Sequence, residues 1–355
     1  HRRRRGGAAR LGRTPQRSDA LSETLTLDPV AALARAALSG RGAAAGPAAS
    51  VARSIVQAEA DAMRPIGLGY LPTYCEHLGC GKVDGRVAPE VSRSAPSAVR
   101  VDARHGFAHP AIEAGSPLLT EAARETGVAA MAVTNSYACG IVGHHVEALA
   151  RDGLVAFAFV NAPAAIAPWG GRRPLFGTNP LAFAAPRVGA APLVIDQSSS
   201  VVAKVAIINA MNDGTAIPPH WGFDESGAPT TEADKVLKGG TMAPFGGHKG
   251  AGMALLVEIM AVAMTGATWS HTSSLLTDNA GGPPGIGQFF IGLDPARFAD
   301  GFSDRLEVLL GAMTAQDGVR LPGDRRLAAR QATARDGVSV DDVLLARLRG
   351  YAGIS

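Results

Sequence analysis

Four short stretches of the chain gather glycine with charge. The segment "PFGGHKGAGMALLVEIM", residues 244–260, places Gly246, Gly247, His248, Lys249 and Gly250 directly before an apolar run several helical turns long. "PWGGRRPLFGTNP", residues 168–180, carries Arg172 and Arg173 in a second glycine-rich loop, and "RLPGDRR", residues 320–326, is a basic Pro-Gly turn. "VIDQSSS", residues 194–200, sets Asp196 and three hydroxyls at the end of a strand-like run. Unpaired amides at a helix start, with lysine or arginine nearby, attract anions. Loops of this kind, brought together, would hold one polyphosphate. Each taken singly also fits close packing, because glycine turns are common.

Absent motifs narrow the chemistry. The chain has no GxGxxG between a strand and a helix, no GxxxxGK[ST], no HExxH and no GxSxG, so the Rossmann, P-loop, zincin and hydrolase signatures are missing. His144 and His145 are helical neighbours that cannot face one metal together, and they read as structural. Cys75, Cys80 and Cys139 are too few for a disulfide framework, and Cys75 and Cys80 lack the second pair of a zinc site. No metal is expected.

The elements that must position these residues follow from composition and periodicity. A chain of 355 residues with 46% apolar content can bury a proper core, and 43 glycines imply many tight turns. Aromatic content of 5% argues against a stacking surface for nucleic acid. Much of the +3 net charge sits in "HRRRRGGAARLGRTPQRSD", which has no acid before Asp19. Residues 1–24 are expected to be a disordered basic arm. No stretch is apolar enough to span a bilayer, and a cytoplasmic location is the default.

"LTLDPVAALARAAL" and "AAASVARSIVQAEADAM" read as helices, and "AVRVDA" as a strand. From Ala111 helices alternate with apolar runs: "SPLLTEAARETG", then "VAAMAVTNS", "IVGHHVEALARDG", "LVAFAFVNA", "NPLAFAAP" and "APLVIDQSS". The expected division is a helical domain from 25–110 plus 310–355 around an α/β domain at 111–309.

Several of these stretches, with others, resemble the type 2 malate/L-lactate dehydrogenase family from about Leu25 to Ala352. The resemblance rests on "YLPTYCEHLGCGKVDG", "AVTNSYACGIVGHHVEALARDGLVA", "APWGGRRPLFGTNPLAFAAPR", "VIDQSSSVVA", "GGTMAPFGGHKGAGMALLVEI", "GGPPGIGQFF" and "RLPGDRR". It implies an α/β, non-Rossmann NADP-binding fold. "NSYACG", "WSH" at 269–271 and "GGPPGIGQFF" are most similar to the branch that reduces delta-1-piperideine-2-carboxylate and delta-1-pyrroline-2-carboxylate to pipecolate and proline. The implied activity is an NADPH-dependent CH–NH oxidoreductase of amino-acid metabolism acting on a cyclic imino acid, with NADH as the other carrier, in a homodimer. The residues implied to meet the cofactor are Ala138, Cys139, Gly140, Ile141, Val142, Gly177, Thr178, Asn179, Asp196, Gly247, His248, Lys249, Arg320, Gly323, Arg325 and Arg326.

The family's catalytic relay is not matched. Where it carries Ser-His-Gly, with the histidine as proton donor, this chain has Pro65, Ile66 and Gly67. Where a Gly-acid pair supports that histidine stand Val205 and Ala206, and Ala138 takes the place of the malate branch's histidine. Tyr70 stands where relatives often place a substrate-binding arginine. None of these side chains except Tyr70 can donate a proton. Tyr70, His77 or a water is the expected substitute. The alternatives are a catalytically inactive NADP(H)-binding homologue and a malate- or lactate-type dehydrogenase.

Overall fold

The computed structural model describes residues 22–354. Its centre is a seven-stranded sheet in the order β2 (Glu90–Ala95), β3 (Ala98–Asp102), β4 (Val128–Ser136), β10 (Ile286–Leu293), β5 (Val155–Val160), β6 (Leu181–Ala185) and β7 (Leu193–Gln197). Only β3 and β4 pair in parallel. Helix α4 (Ala108–Thr126) makes the crossover that a parallel pair requires. This is the α/β, non-Rossmann architecture anticipated above, since a Rossmann sheet is mostly parallel. The sheet already includes β2 and β3, upstream of residue 111.

Strand β10 comes from far downstream and inserts between β4 and β5. Its alternation decides what each face meets. Phe290 joins Met131, Val146 and Leu149 in the larger core, beneath α4 and α5 (Val142–Arg151), while Phe289 packs with Phe159, Val257 and Ala261 on the opposite face. That second face is covered by α8 (His248–Glu258) and its π-helical continuation Ile259–Ala263. Helix α4 begins earlier than "SPLL" suggests and carries Pro117 inside it. Packing on the sheet sustains it across the lost backbone donor.

The second core lies among α1 (Leu27–Gly40), α2 (Ala45–Ala60), α3 (Leu71–Cys80) and α11 (Asp342–Ala352). A Cβ on Gly40 would lie 2.1 Å from the Tyr351 carbonyl oxygen, so glycine permits the close crossing of α1 and α11. Strand β1 (Ser22–Leu25) pairs with β11 (Val338–Asp341) and ties the two ends of the described chain together. Ser22–Thr24, expected to be disordered, therefore form strand; the rest of the basic arm lies outside the described residues. Asp341 caps α11 by accepting from the Val343 and Leu344 amides at 2.9 and 3.2 Å.

A smaller cap contains α6 (Lys204–Asn212), β8 (Gly222–Phe223), α7 (Ala233–Leu237) and β9 (Thr241–Met242), around Ile166, Phe176, Ile207 and Val236. After it come α9 (Phe302–Thr314) and α10 (Asp324–Asp336), the latter packing against α2. Among the described residues no helix is long and apolar enough to cross a membrane.

Candidate active site

The C-terminal end of β7, the first turn of α5 and the basic turn before α10 enclose a cleft of about 700 Å³. Asp196 anchors it. Its carboxylate accepts a 2.7 Å hydrogen bond from the Gly143 amide. A Cβ on Gly143 would come within 2.8 Å of Asp196 Oδ2 and 3.0 Å of Arg326 Nη1, so glycine lets strand, helix and guanidinium meet. Partial burial raises the Asp196 pKa, against the opposing pull of the Gly143 amide and Arg326. Gly140, with φ of +69°, turns the chain into α5, whose N-cap residue Ile141 supplies no capping side chain. Of the first amides of α5, Gly143 donates to Asp196 and His144 to the Ile141 carbonyl, so the helix offers the Val142 amide and the positive end of its dipole to the cleft.

The opposite wall is shaped by Asp324, which accepts from the Leu321 amide at 2.9 Å, and by Gly323, with φ of +94°. It brings Arg320, Arg325 and Arg326 to the cleft. Arg326 Nη1 is buried and has no hydrogen-bond partner. A buried donor without an acceptor is costly, and an anion in the cleft would satisfy it.

A clamp holds this wall in place. Arg330 on α10 donates to Asp61 Oδ1 at 2.5 Å and to both Glu147 oxygens, Oε1 at 2.6 Å and Oε2 at 2.7 Å. His144 Nε2 meets Asp61 Oδ2 at 2.8 Å. Burial alone would raise the Asp61 pKa, but hydrogen bonds from His144 and Arg330 outweigh it and hold the carboxyl below its ordinary range. Glu147 is lowered in the same way, burial being outweighed chiefly by Arg330. The adjacent histidines are structural, as their spacing implies: His145 Nε2 meets the Cys139 carbonyl oxygen at 2.9 Å.

The expected cofactor residues separate into groups. Gly140, Ile141, Val142, Thr178, Asp196, Arg320, Gly323, Arg325 and Arg326 all line the cleft. Ala138 packs between the two cores, and Cys139 is buried with its thiol pushed up to about 12 by burial. Gly177 is buried against the Ala162 carbonyl. Asn179 turns inward, where its Nδ2 donates to the Ala254 carbonyl at 2.9 Å and to Glu258 at 2.8 Å. It has no polar group left for a ligand in the cleft and holds the Thr178 loop instead. Gly247, His248 and Lys249 are outside the cleft wall, where Gly247 and His248 lie beside the Trp169 ring.

Of the relay positions, Ile66 lines the cleft, Pro65 is exposed beside it, and Ala206 lies within α6. The expected substitute acids lie elsewhere. Tyr70 is half-buried beside Tyr137, and burial raises its pKa against the opposing effect of the Tyr137 hydroxyl. His77 is buried between the Tyr137 hydroxyl at Nδ1 and the Asp278 carbonyl at Nε2, the latter at 2.9 Å, and burial lowers its pKa. Lys82, fully buried, donates to the Asp278 carbonyl at 2.8 Å. His77 and Tyr70 therefore fix the 275–278 loop and the helical core, and neither lines the cleft.

Sequence reasoning missed Met63 and Lys204, which do line it, along with Ser198 of the hydroxyl-rich turn. Lys204 had a signal: a lone lysine opening a helix just after the hydroxyl-rich turn. Among the described residues no group of histidine, cysteine and acidic side chains is arranged to hold a metal.

Comparison with known proteins sets this geometry in a family. The model of the malate/L-lactate dehydrogenase family matches residues 25–349. The (2R)-3-sulfolactate dehydrogenase (NADP(+)) of Chromohalobacter salexigens is 43% identical over 94% of this chain and 99% of its own length. The delta(1)-pyrroline-2-carboxylate reductase of Ancylobacter novellus is 38% identical over 92% and 96%. Among solved structures, delta1-piperideine-2-carboxylate reductase from Pseudomonas syringae superposes with a TM-score of 0.88 at 35% identity, covering 93% of this chain and 99% of that one. The chain belongs to the malate/L-lactate dehydrogenase family.

Proposed function

We propose that the protein is an NADPH-dependent reductase of small carboxylates bearing a C=N or C=O bond beside the carboxyl group, with cyclic ketimines as its preferred substrates. The observation that carries the cofactor assignment is the buried, unpartnered Arg326 Nη1 facing the glycine-lined turn at 140–143. These residues fit a phosphorylated dinucleotide. The positive end of α5 would face its diphosphate, and Arg320, Arg325 and Arg326 would favour a 2′-phosphate. Bound in reduced form, the nicotinamide supplies a hydride.

The ketimine preference rests on the cleft lining, which contains no histidine, tyrosine or cysteine among the described residues. A ketimine nitrogen arrives already protonated below its own pKa, so its carbon is electrophilic without an acid from the protein. A 2-oxo acid needs its developing alkoxide neutralised. The second reading, a dehydrogenase of 2-hydroxy acids, is supported by the 43% identity to a sulfolactate dehydrogenase. A third, an NADP(H)-binding homologue without turnover, is favoured by the side chains at 65, 66 and 206. The test is oxidation of NADPH with delta-1-piperideine-2-carboxylate, delta-1-pyrroline-2-carboxylate, sulfopyruvate and oxaloacetate as alternative substrates. The expected ranking puts the ketimines first. Faster oxidation with either oxo acid moves the assignment to the second reading, and none with any substrate, NADPH still binding, moves it to the third.

A further inference from the structure

Adding hydride to a C=O bond, or to an unprotonated C=N bond, leaves charge on the heteroatom that a proton must cancel. The groups lining the cleft limit what can supply it. Ile66 and Met63 have no proton to give, and an arginine keeps its own at neutral pH. Thr178 and Ser198 are hydroxyls of ordinary acidity, and Asp196 is committed to the Gly143 amide beside Arg326. Lys204 remains. It is the first residue of α6, lines the cleft with Asp196 and Ile66, and makes no hydrogen bond or ion pair among the described residues.

We propose that Lys204 Nζ is the proton donor of this cleft, a role that rests on the reductase reading above and extends the site from ketimines to 2-oxo acids. A bound NADPH would supply the hydride and both electrons to the substrate carbon, and Lys204 the proton. The Nζ–H bond of the ammonium breaks as the O–H or N–H bond of the product forms. The resulting neutral amine recovers a proton from water at the cleft mouth. Burial lowers the Lys204 pKa, which makes its ammonium a better acid than a surface lysine. The charged groups that share the cleft are Asp196, Arg320, Arg325 and Arg326. On α7, which packs against α6, Asp234 and Lys235 are exposed, and Lys235 pairs with Glu232 at 2.5 Å.

The experiment compares the full chain with Lys204→Gln and Lys204→Arg in three measurements. The first is NADPH affinity by fluorescence titration. The second is turnover of a 2-oxo acid and of a ketimine across pH. The third is amine labelling of Lys204 against pH, read by mass spectrometry without any substrate. Expected for Lys204→Gln are an NADPH affinity within about threefold of the parent and an oxo-acid turnover lower by roughly 10²–10⁴. Ketimine turnover should fall little at acidic pH and increasingly as the imine loses its own proton. Arginine should not restore oxo-acid turnover, and the parent's Lys204 should become reactive well below the pH at which surface lysines do.

If both variants turn over the oxo acid like the parent, this inference fails while the reductase reading stands. If glutamine weakens NADPH more than tenfold and arginine restores it, Lys204 is a phosphate ligand and the inference also fails. Labelling of Lys204 at the pH of surface lysines overturns it without reference to turnover. A parent that turns over none of the substrates sinks the reductase reading itself, and this inference with it.

Discussion

Two cavities lie on opposite sides of the 138–143 segment, and they differ in charge more than in size. The cleft toward β7 is lined by lysine and three arginines. The pocket behind the segment, about 840 Å³ between α2, α4 and α5, is lined by His109, His144 and His145, with Arg53, Arg124 and Arg297 set against Glu113, Glu121, Glu125 and Asp152. Both His109 ring nitrogens are buried without a partner. Burial drives the His109 pKa down to about 3 and that of His145 to about 4, with each lowered further by neighbouring histidines. These two imidazoles are therefore neutral near pH 7 and offer no charge to a polyphosphate. The larger cavity is the poorer anion site, because four carboxylates face its three guanidiniums and its two buried imidazoles are neutral, whereas the cleft sets one lysine and three arginines against Asp196 alone.

The clamp that holds the two cavities in register gives the largest expected effect. Asp61 and Glu147 have side chains 0% and 4% exposed, and Arg330 pairs with both, with His144 also on Asp61 and Arg151 also on Glu147. Arg330→Ala leaves two buried carboxylates short of a partner and should cost about 3–5 kcal/mol of stability. Denaturant unfolding at neutral pH measures it. A loss below about 1 kcal/mol would mean that water or His144 already satisfies these acids. It would also mean that the basic wall on α10 is held by other contacts.

Affinity for the cofactor comes next and separates the cavities directly. Removing Arg326 deletes a charge-assisted contact worth about 1.5–3 kcal/mol, so NADPH affinity should fall roughly 10–150-fold. NADH affinity should change much less. Arg53→Ala, at the rim of the other pocket, should leave both affinities unchanged, since Arg53 pairs with Glu113 at 2.6 Å on the surface. Equal loss from the two substitutions, by calorimetric titration, would put the nucleotide on the wrong side of the segment.

The charge contrast was partly legible in the sequence. Asp196 at the end of an apolar strand and the basic turn at 320–326 were visible because strand periodicity and turn chemistry are local. The loop at 244–250 lies outside the cleft wall, and glycines that pack and glycines that admit a ligand look alike in sequence. A Cβ on Gly250 would lie 2.1 Å from the Phe245 carbonyl, so close packing accounts for that glycine. Asn179 looked available beside Thr178, but strand β6 begins just beyond it and its side chain is drawn under α8 toward Glu258. Met63, Lys204 and the basic turn come together only through tertiary contacts that no local window contains. The expectation of a substituted relay at 65, 66 and 206 drew attention to Tyr70 and His77, which are near Ile66 in sequence but pack in the helical core.

The acid side of the stability curve gives the smallest effect and the finest test of the histidine pocket. In the unfolded chain an imidazole titrates near pH 6.5. In the folded protein His109 and His145 resist protonation down to about 3 and about 4. Above pH 6.5 both states are neutral and these groups contribute no pH dependence. Below it the unfolded chain binds protons that the folded one refuses, so stability falls as pH falls, by roughly 1 kcal/mol per pH unit for each imidazole. His77, also lowered by burial, acts in the same direction. Glu59, raised by burial, opposes them, while the depressed carboxyls of Asp61 and Glu147 add their loss only at lower pH. Urea unfolding between pH 7 and 5 should therefore show a steady decline, and His109→Phe should make it shallower. Because neither His109 nitrogen has a partner, the phenyl ring should leave stability at pH 7 within about 1 kcal/mol of the parent. A larger loss at pH 7 would show that the imidazole is served by bound water or a ligand. An unchanged slope would show that His109 takes up its proton in the folded state, narrowing the charge difference between the two cavities.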